Sequence, residues 1–309
     1  MIQNLFILVV SLFLVIKGAI LATKYAANLA KKFSISGYTI GLIIIAIISI
    51  LPETFIAINS SLKGMPAFGL GTLFGSNVSD LTLVFVIIIL LAGRGIKIES
   101  KILKNNVIYP FLFLIPLILG LDGYYSRIEG LTLIAGGIIF YFLAFKNSVN
   151  HRPTIKNNNH LYKNIIYLLL SMALLLIGSH FTIISAAALA YDLGINAILI
   201  GMLIVGVGTT IPEMLFSWQA IKRNDDALAV GDVLGTVLAD ATVVVGLIAI
   251  IKPFFFPTAI IYVTGVFMLL ATFMISYFMR TGKNLSRQEA VFLFIFWLFF
   301  ILTEYFINN

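Results

Sequence analysis

Long runs of apolar residues, separated by short polar segments, occupy the chain from one end to the other. These runs are continuous rather than alternating, and many approach or exceed the ~18 residues that a membrane helix needs, so they predict spanning helices and not a β-barrel. The first run has no basic leader region and no clear cleavage site, so we interpret it as a membrane helix. We predict ten spans, at about residues 3–22, 38–62, 70–92, 104–120, 128–145, 162–186, 195–220, 229–251, 257–278 and 289–306.

One polar, Asn-rich and basic linker, residues 146–161, divides the chain into two five-helix units, 1–145 and 162–309. The units share a pattern at a constant offset of 160 residues, within segments 41–80 and 201–240. A duplicated unit explains a register kept over such a length. An odd number of spans per unit makes the second copy enter the membrane from the opposite side. The predicted fold class is therefore an all-α polytopic membrane protein with inverted repeats, an architecture typical of secondary transporters.

The composition agrees with this prediction, since 61% of residues are hydrophobic, 11% are charged and the mean hydropathy is +1.08. The absence of cysteine excludes disulfides, thiol chemistry and cysteine metal sites. The net charge of +7 comes from residues scattered over short loops, so we expect no nucleic-acid partner. Sixteen Lys and Arg lie in the loops after odd-numbered spans and three lie in the opposite loops. This asymmetry predicts a multi-pass plasma-membrane protein with both termini extracellular.

Four acids lie inside the apolar spans as two pairs at the same offset: Glu53 with Asp80, and Glu213 with Asp240. A carboxylate within a bilayer is costly and by default indicates an ion or proton pathway. The alternative, that the glutamates reach water from a simple kink, is disfavoured because both lie far from the ends of their spans.

A proline precedes each glutamate, and a proline inside a helix removes one N–H group and displaces the carbonyl four residues earlier. We therefore predict that the second and seventh spans are broken helices that line a cavity. Their freed carbonyls are expected near Ala46 and Ile48 and near Gly206 and Gly208. Carbonyl, hydroxyl and carboxylate oxygens together suit hard cations such as Ca²⁺ and Na⁺.

The third and eighth spans carry Gly-x-x-x-Gly followed by Ser76 and Asp80, or by Thr236 and Asp240. The glycine spacing predicts close helix packing, and residues four apart share a helical face. The packing would bring these polar side chains toward the broken helices.

These motifs resemble those of the cation/Ca²⁺ exchanger superfamily, most closely its prokaryotic sodium/calcium exchanger branch. Two repeats of that family carry G-[ST]-S-x-P-E followed by G-x-x-x-G-S-x-x-x-[ND], and the resemblance covers nearly the whole chain. It implies ten helices in two inverted units with ions bound midway across the bilayer. It also implies that Glu53 and Glu213 ligate Ca²⁺ directly, and that the other ligands are Ser49, Thr209, Thr210, Ser76, Thr236, Asp80 and Asp240.

The sequence departs from the family pattern at three positions. Ile50 has no side-chain oxygen where Thr210 keeps one, and Ile48 replaces the usual glycine, so we expect one Na⁺ site to be impaired. Asp80 stands where many sodium exchangers have Asn. Four carboxylates in a poorly hydrated site cannot all stay ionised without a cation, which makes protons candidate counter-ions.

Two acidic positions in the second half were given lesser roles. Asp232 matches Thr72 and is expected to cap or line the start of the eighth span. Asn224 to Asp226 is interpreted as a loop.

These observations predict a secondary antiporter, not an enzyme, that exchanges Ca²⁺ or a related divalent cation for Na⁺, H⁺ or both. The expected partners are inorganic cations and the lipid bilayer, the protein is expected to act as a monomer, and no cofactor is predicted. A divalent cation exchanger driven by H⁺ alone and a cation channel remain alternatives. A membrane-embedded metalloenzyme is disfavoured because no general acid/base with His ligands is found.

Overall fold

The computed structural model describes residues 1–30, 45–98, 109–146 and 161–308, and these residues are predominantly helical. In chain order the helices are α1 (Ile2–Ala30), α2 (Ala46–Ser49), α3 (Leu51–Leu62), α4 (Pro66–Ala92), α5 (Tyr109–Leu119), α6 (Arg127–Lys146), α7 (Leu161–Leu193), α8 (Ala197–Lys222), α9 (Asp226–Ile251), α10 (Ile260–Thr281) and α11 (Arg287–Asn308). Within the described residues eight helices, all except α2, α3 and α5, are long and apolar enough to cross a membrane. The chain is a helical membrane protein.

The eight long helices coincide with eight of the predicted spans. The two other predicted spans, 38–62 and 104–120, begin outside the described residues. Their described parts are α2 with α3, and α5. The predicted linker, 146–161, also lies almost entirely outside the described residues. Ten spans in an inverted arrangement therefore stay a prediction.

Two helices, α4 and α9, form the centre of the molecule. In each, about four fifths of the most apolar 18-residue stretch is buried (83% and 78%), against 28% in α6 and 22% in α11. The peripheral helices expose Leu, Ile and Phe, as expected where lipid is the solvent. The two central helices are those that carry the Gly-x-x-x-Gly pattern, and small residues let neighbouring backbones approach closely.

Short antiparallel strand pairs and ion pairs tie the loops together. Strand β1 (Ile96–Lys97) pairs with β4 (Asn284–Leu285), and β2 (Tyr124–Tyr125) pairs with β3 (Phe254–Phe255). The Arg94 guanidinium donates to both carboxylate oxygens of Asp226, each at 2.7 Å, and raises its own pKa by this contact. Segments that are distant in sequence are thus joined at the ends of the helices.

The proline junctions are milder than the predicted breaks. One residue, Ile50, separates α2 from α3, and its dihedral angles (φ −70°, ψ −3°) stay close to helical values. Its N–H donates to the Ala46 carbonyl at 3.0 Å, and in α8 the Thr210 N–H donates to Gly206 at 3.3 Å. The prediction that these carbonyls are freed is therefore wrong, because the proline removes the N–H two residues later. Each carbonyl keeps a second lone pair that could contact an ion.

Helices α4 and α9 each contain one wider, π-helical turn, at Asp80–Val84 and at Asp240–Val244. Each turn begins at a predicted site acid, and the two lie at the same offset of 160 residues. Single π-turns inside α-helices are frequent at functional sites. The two halves therefore share local backbone geometry as well as sequence motifs.

Candidate cation site

The four predicted acids come together in the interior. Glu53 lies on α3, Asp80 on α4, Glu213 on α8 and Asp240 on α9, and all four side chains are fully buried. The charge of Glu53 acts on each of the other three, and the charge of Asp80 acts on Glu213 and Asp240. Four helices from both halves of the chain thus form one cluster of carboxylates.

None of the eight carboxylate oxygens of these acids has a hydrogen-bond partner in the described part of the chain. The two ion pairs found among the described residues, Met1 with Asp192 and Arg94 with Asp226, involve other acids. A buried, uncompensated carboxylate costs several kcal/mol, so it takes up a proton or binds a cation. Nearly every buried polar group in a folded protein has a partner, so such a concentration of exceptions indicates a ligand site.

Hydroxyl groups surround the carboxylates, and all the predicted ones are buried: Ser49, Ser76, Thr209, Thr210 and Thr236. Three of them donate to carbonyls of their own helix at 2.9–3.0 Å, and Thr236 Oγ1 has no partner among the described residues. A hydroxyl that donates its proton backward keeps its oxygen lone pairs available for a cation. Thr209 also lies close enough to Glu53 for its hydroxyl to act on that carboxylate.

Each proline-containing helix packs on the glycine-containing helix of the other half. The Ser49 hydroxyl at the end of α2 donates to Asp232 on α9 at 3.0 Å. On the other side, a Cβ built on Gly75 of α4 would lie 2.5 Å from the Met202 carbonyl of α8. A Cβ on Gly206 would lie 3.0 Å from the Ser76 backbone nitrogen. Glycine is required here because the two backbones are in contact, and this contact brings Ser76 and Asp80 to the other half.

The expectation for Asp232 was wrong. Asp225 caps α9 by accepting the Leu228 N–H at 3.2 Å, whereas Asp232 lies inside the helix, fully buried. Its Oδ1 accepts the Ser49 hydroxyl, and its charge acts on Asp80 and Glu213. The available signal was an acid within an apolar run, the same signal that identified the four other acids. Asp226, interpreted as a loop residue, begins α9 and pairs with Arg94.

Ile50 lies in apolar surroundings. Its side chain lines a cavity of about 430 Å³ together with Ile47, Ile138, Tyr141 and Phe142 among others, and nearly all of the lining is apolar. The first half therefore offers no oxygen at this position, as its sequence implies.

Carboxylates alone do not form a finished metal centre, because no three acidic or histidine side chains of the described ranges converge tightly enough to hold one ion. An ion bound here would need hydroxyl or carbonyl oxygens as well. The available ligands are all oxygens, which is the donor set of hard cations such as Ca²⁺, Na⁺ and Mg²⁺. The site is suited to such cations and not to soft metals.

The fold and the site define a helical membrane protein with a buried, oxygen-lined site of several carboxylates. The family model described as sodium/calcium exchanger protein matches residues 3–146 and 163–306, and the chain belongs to this family. It is therefore a transmembrane antiporter of the sodium/calcium exchanger class.

Individual relatives agree with the family match. The sodium/calcium exchanger MaX1 of Methanosarcina acetivorans is 26% identical over 98% of this chain and 99% of its own length. The inner membrane protein YrbG of Escherichia coli is 24% identical over 80% of this chain and 79% of its own length. A structure of the sodium-calcium exchanger NCX_Mj, soaked with Na⁺ and Sr²⁺, superposes with a TM-score of 0.73 at 22% identity, covering 98% of both chains. This last likeness supports the fold.

Proposed function

We propose that the protein is a secondary antiporter that exchanges Ca²⁺, or a related divalent cation, for Na⁺, H⁺ or both by alternating access. The observation that carries this proposal is the cluster of four buried acids, whose eight oxygens lack partners at the junction of the two halves. A cation that is bound and released there compensates charges that the protein itself leaves uncompensated.

The contacts between loops support ten spans in two inverted units. With that topology, the N-terminus, Asp192 and strands β2 and β3 lie on the outer face. Met1 pairs with Asp192, and β2 pairs with β3. Arg94, Asp226 and strands β1 and β4 lie on the inner face, and these segments also pair with one another. No contact in this set joins segments assigned to opposite faces.

The acids are proposed to have different roles because their helices differ. Glu53 and Glu213 follow the proline junctions, where a short helix meets a longer one, and would be the principal ligands of the divalent cation. Asp80 and Asp240 begin π-turns of the two central helices and would adjust affinity and counter-ion choice. Movement of the proline-containing helices against α4 and α9 would open the site to each side in turn.

A flux assay tests this function. The purified protein would be reconstituted into liposomes, and uptake of radiolabelled Ca²⁺ would be measured under separately imposed Na⁺ and pH gradients. We expect uphill Ca²⁺ uptake that needs at least one of these gradients. Uptake driven by the pH gradient alone would favour the H⁺-only exchanger. Ca²⁺ movement that only follows its own gradient would indicate a channel and contradict the proposal.

Thr210 gives a prediction about the Na⁺ dependence. Its buried hydroxyl is the oxygen that the first half lacks at Ile50. Loss of one neutral ligand is worth on the order of 1 kcal/mol, so Thr210→Val should reduce Na⁺-driven Ca²⁺ uptake by about tenfold and largely spare Ca²⁺ binding. The measurement is Ca²⁺ uptake as a function of the Na⁺ concentration.

The matched control is Thr272→Val, since Thr272 is equally buried and donates to its own helix at 2.7 Å, at Met268. This control should keep the wild-type Na⁺ dependence. An unchanged Na⁺ dependence in Thr210→Val would remove Thr210 from the site. A steep dependence on three Na⁺ ions in the wild type would show that the missing oxygen at Ile50 has no consequence.

A further inference from the structure

We propose that Asp232, Ser217 and Ser49 form an additional subsite for a monovalent cation of the Na⁺ class, beside the four-acid cluster. Asp232 lies on α9, Ser217 on α8 and Ser49 at the end of α2, and all three side chains are buried. The inference rests on the proposed function for the identity of the neighbouring cluster, but it concerns residues that the family motifs do not include.

The first observation is the state of the Asp232 carboxylate. Its Oδ1 accepts the Ser49 hydroxyl at 3.0 Å, and its Oδ2 has no partner among the described residues. Neither ion pair in the described ranges involves it. One neutral hydroxyl does not compensate a buried negative charge, so the free oxygen needs a cation.

The second observation is a group of oxygens around Asp232. Besides Ser49, the hydroxyl of Ser217 is the other side chain close to this carboxylate. Ser217 has only a weak contact of its own, to the Ala229 carbonyl at 3.5 Å, so its oxygen is available. Ser217 follows Glu213 by four residues and therefore faces the same side of α8 as that acid. Three helices thus direct oxygens to one place.

The third observation is that two of these oxygens occur in the second half alone. At the offset of 160 residues, Asp232 corresponds to Thr72 and Ser217 corresponds to Ala57. Thr72 satisfies its hydroxyl by donating to Phe68 within its own helix at 2.9 Å, and Ala57 has no side-chain oxygen. A packing role common to both halves would not require either difference. Both additions lie next to Ser49.

The position of the group suggests what it replaces. Ser49 immediately precedes Ile50, the position at which the first half lacks a hydroxyl and borders an apolar cavity. The oxygen missing at residue 50 is thus accompanied by a carboxylate and a hydroxyl from the other half at residue 49. One carboxylate with two neutral hydroxyls carries a single negative charge, which a monovalent cation balances and a divalent cation exceeds. Oxygen ligands suit Na⁺ as a hard cation.

The test uses full-length purified protein in detergent, with binding of radiolabelled Na⁺ and, separately, of radiolabelled Ca²⁺ at fixed ionic strength. Asp232→Asn keeps the shape and removes the charge, and Ser217→Ala installs the residue of the first half. We expect Na⁺ affinity to fall about tenfold in Asp232→Asn and a few-fold in Ser217→Ala, because a charged ligand contributes more than a neutral one. Ca²⁺ affinity should change less than about threefold.

A second readout does not depend on transport. Trp218 adjoins Ser217, and the chain has only two tryptophans. In a Trp297→Phe background, the fluorescence of Trp218 should respond to NaCl and not to choline chloride, and Asp232→Asn should shift this response to higher Na⁺ concentration. Ser185→Ala is the control, since Ser185 is buried and donates within its own helix. It should leave both titrations unchanged.

The possible outcomes separate this inference from the proposed function. Na⁺ affinity within about twofold of the wild type in Asp232→Asn would overturn the subsite, whether or not Ca²⁺ is transported. An equal loss of Na⁺ and Ca²⁺ affinity would overturn the monovalent assignment. If Asp232→Asn does not fold, Ser217→Ala decides in the same way. Selective loss of Na⁺ binding in a protein that carries no Ca²⁺ would support the subsite and refute the exchanger.

Discussion

Glu53→Gln and Glu213→Gln are each expected to abolish Ca²⁺ transport while leaving the protein folded. Glutamine keeps the size and one oxygen of the side chain, but it removes a full charge from a divalent site. Removal of one buried charged partner costs about 3 kcal/mol or more, which corresponds to a loss of at least two orders of magnitude. The loss should be similar for the two residues because both are buried in the same cluster and neither has a partner within the described residues.

The measurement is initial Ca²⁺ uptake into liposomes, with folding checked by size-exclusion chromatography and thermal unfolding in detergent. Glu289→Gln is the matched control, because Glu289 accepts the Ser286 N–H at 2.7 Å at the start of α11 and a glutamine can do the same. It should transport like the wild type. Wild-type uptake in either cluster variant would refute the assignment of that glutamate as a principal ligand.

Gly75→Ala is expected to abolish or strongly reduce transport through packing instead of charge. An added Cβ would lie 2.5 Å from the Met202 carbonyl and 2.9 Å from the Met202 Cα. These are backbone atoms, so the strain cannot be relieved by turning a side chain, and α4 must move away from α8. Overpacking of this kind costs about 1–3 kcal/mol. It would also displace Ser76 and Asp80, since both follow Gly75 on the same helix.

We would measure Ca²⁺ uptake together with the thermal midpoint of unfolding in detergent. Gly136→Ala serves as the control, because a Cβ there meets only the flexible end of Ile115, at 3.7 Å. That variant should keep both properties, since alanine also has the higher helix propensity. Normal transport and stability in Gly75→Ala would show that the backbone contact between α4 and α8 is not needed.

Much of the fold could be predicted from the sequence. The length and apolar character of the runs located eight helices to within a few residues, because only helices satisfy their backbone groups over such lengths in lipid. The acids were recognisable for the same reason, since a carboxylate inside an apolar run has no ordinary structural explanation.

Some features that the sequence did contain were assigned too little or misjudged. Ser126 with Glu129, and Ser286 with Glu289, were used only as marks of duplication. In the structure each pair forms a reciprocal cap at a helix start, with Ser286 N–H to Glu289 at 2.7 Å and Glu289 N–H to Ser286 Oγ at 3.3 Å. The Ser-x-x-Glu spacing predicts such a capping box. The effect of the prolines, by contrast, was overestimated.

The sequence by itself determined the helices, the repeat and the four acids, because apolar length, register and buried charge are properties of single segments. Only the tertiary structure decided which half faces which. Ser49 meets Asp232 and Gly75 meets Met202 through contacts between residues 183 and 127 positions apart. No local pattern specifies such a contact, since it depends on how closely two backbones can pack. The same packing decided that Asp232 belongs with the site, and that the π-turns begin at Asp80 and Asp240.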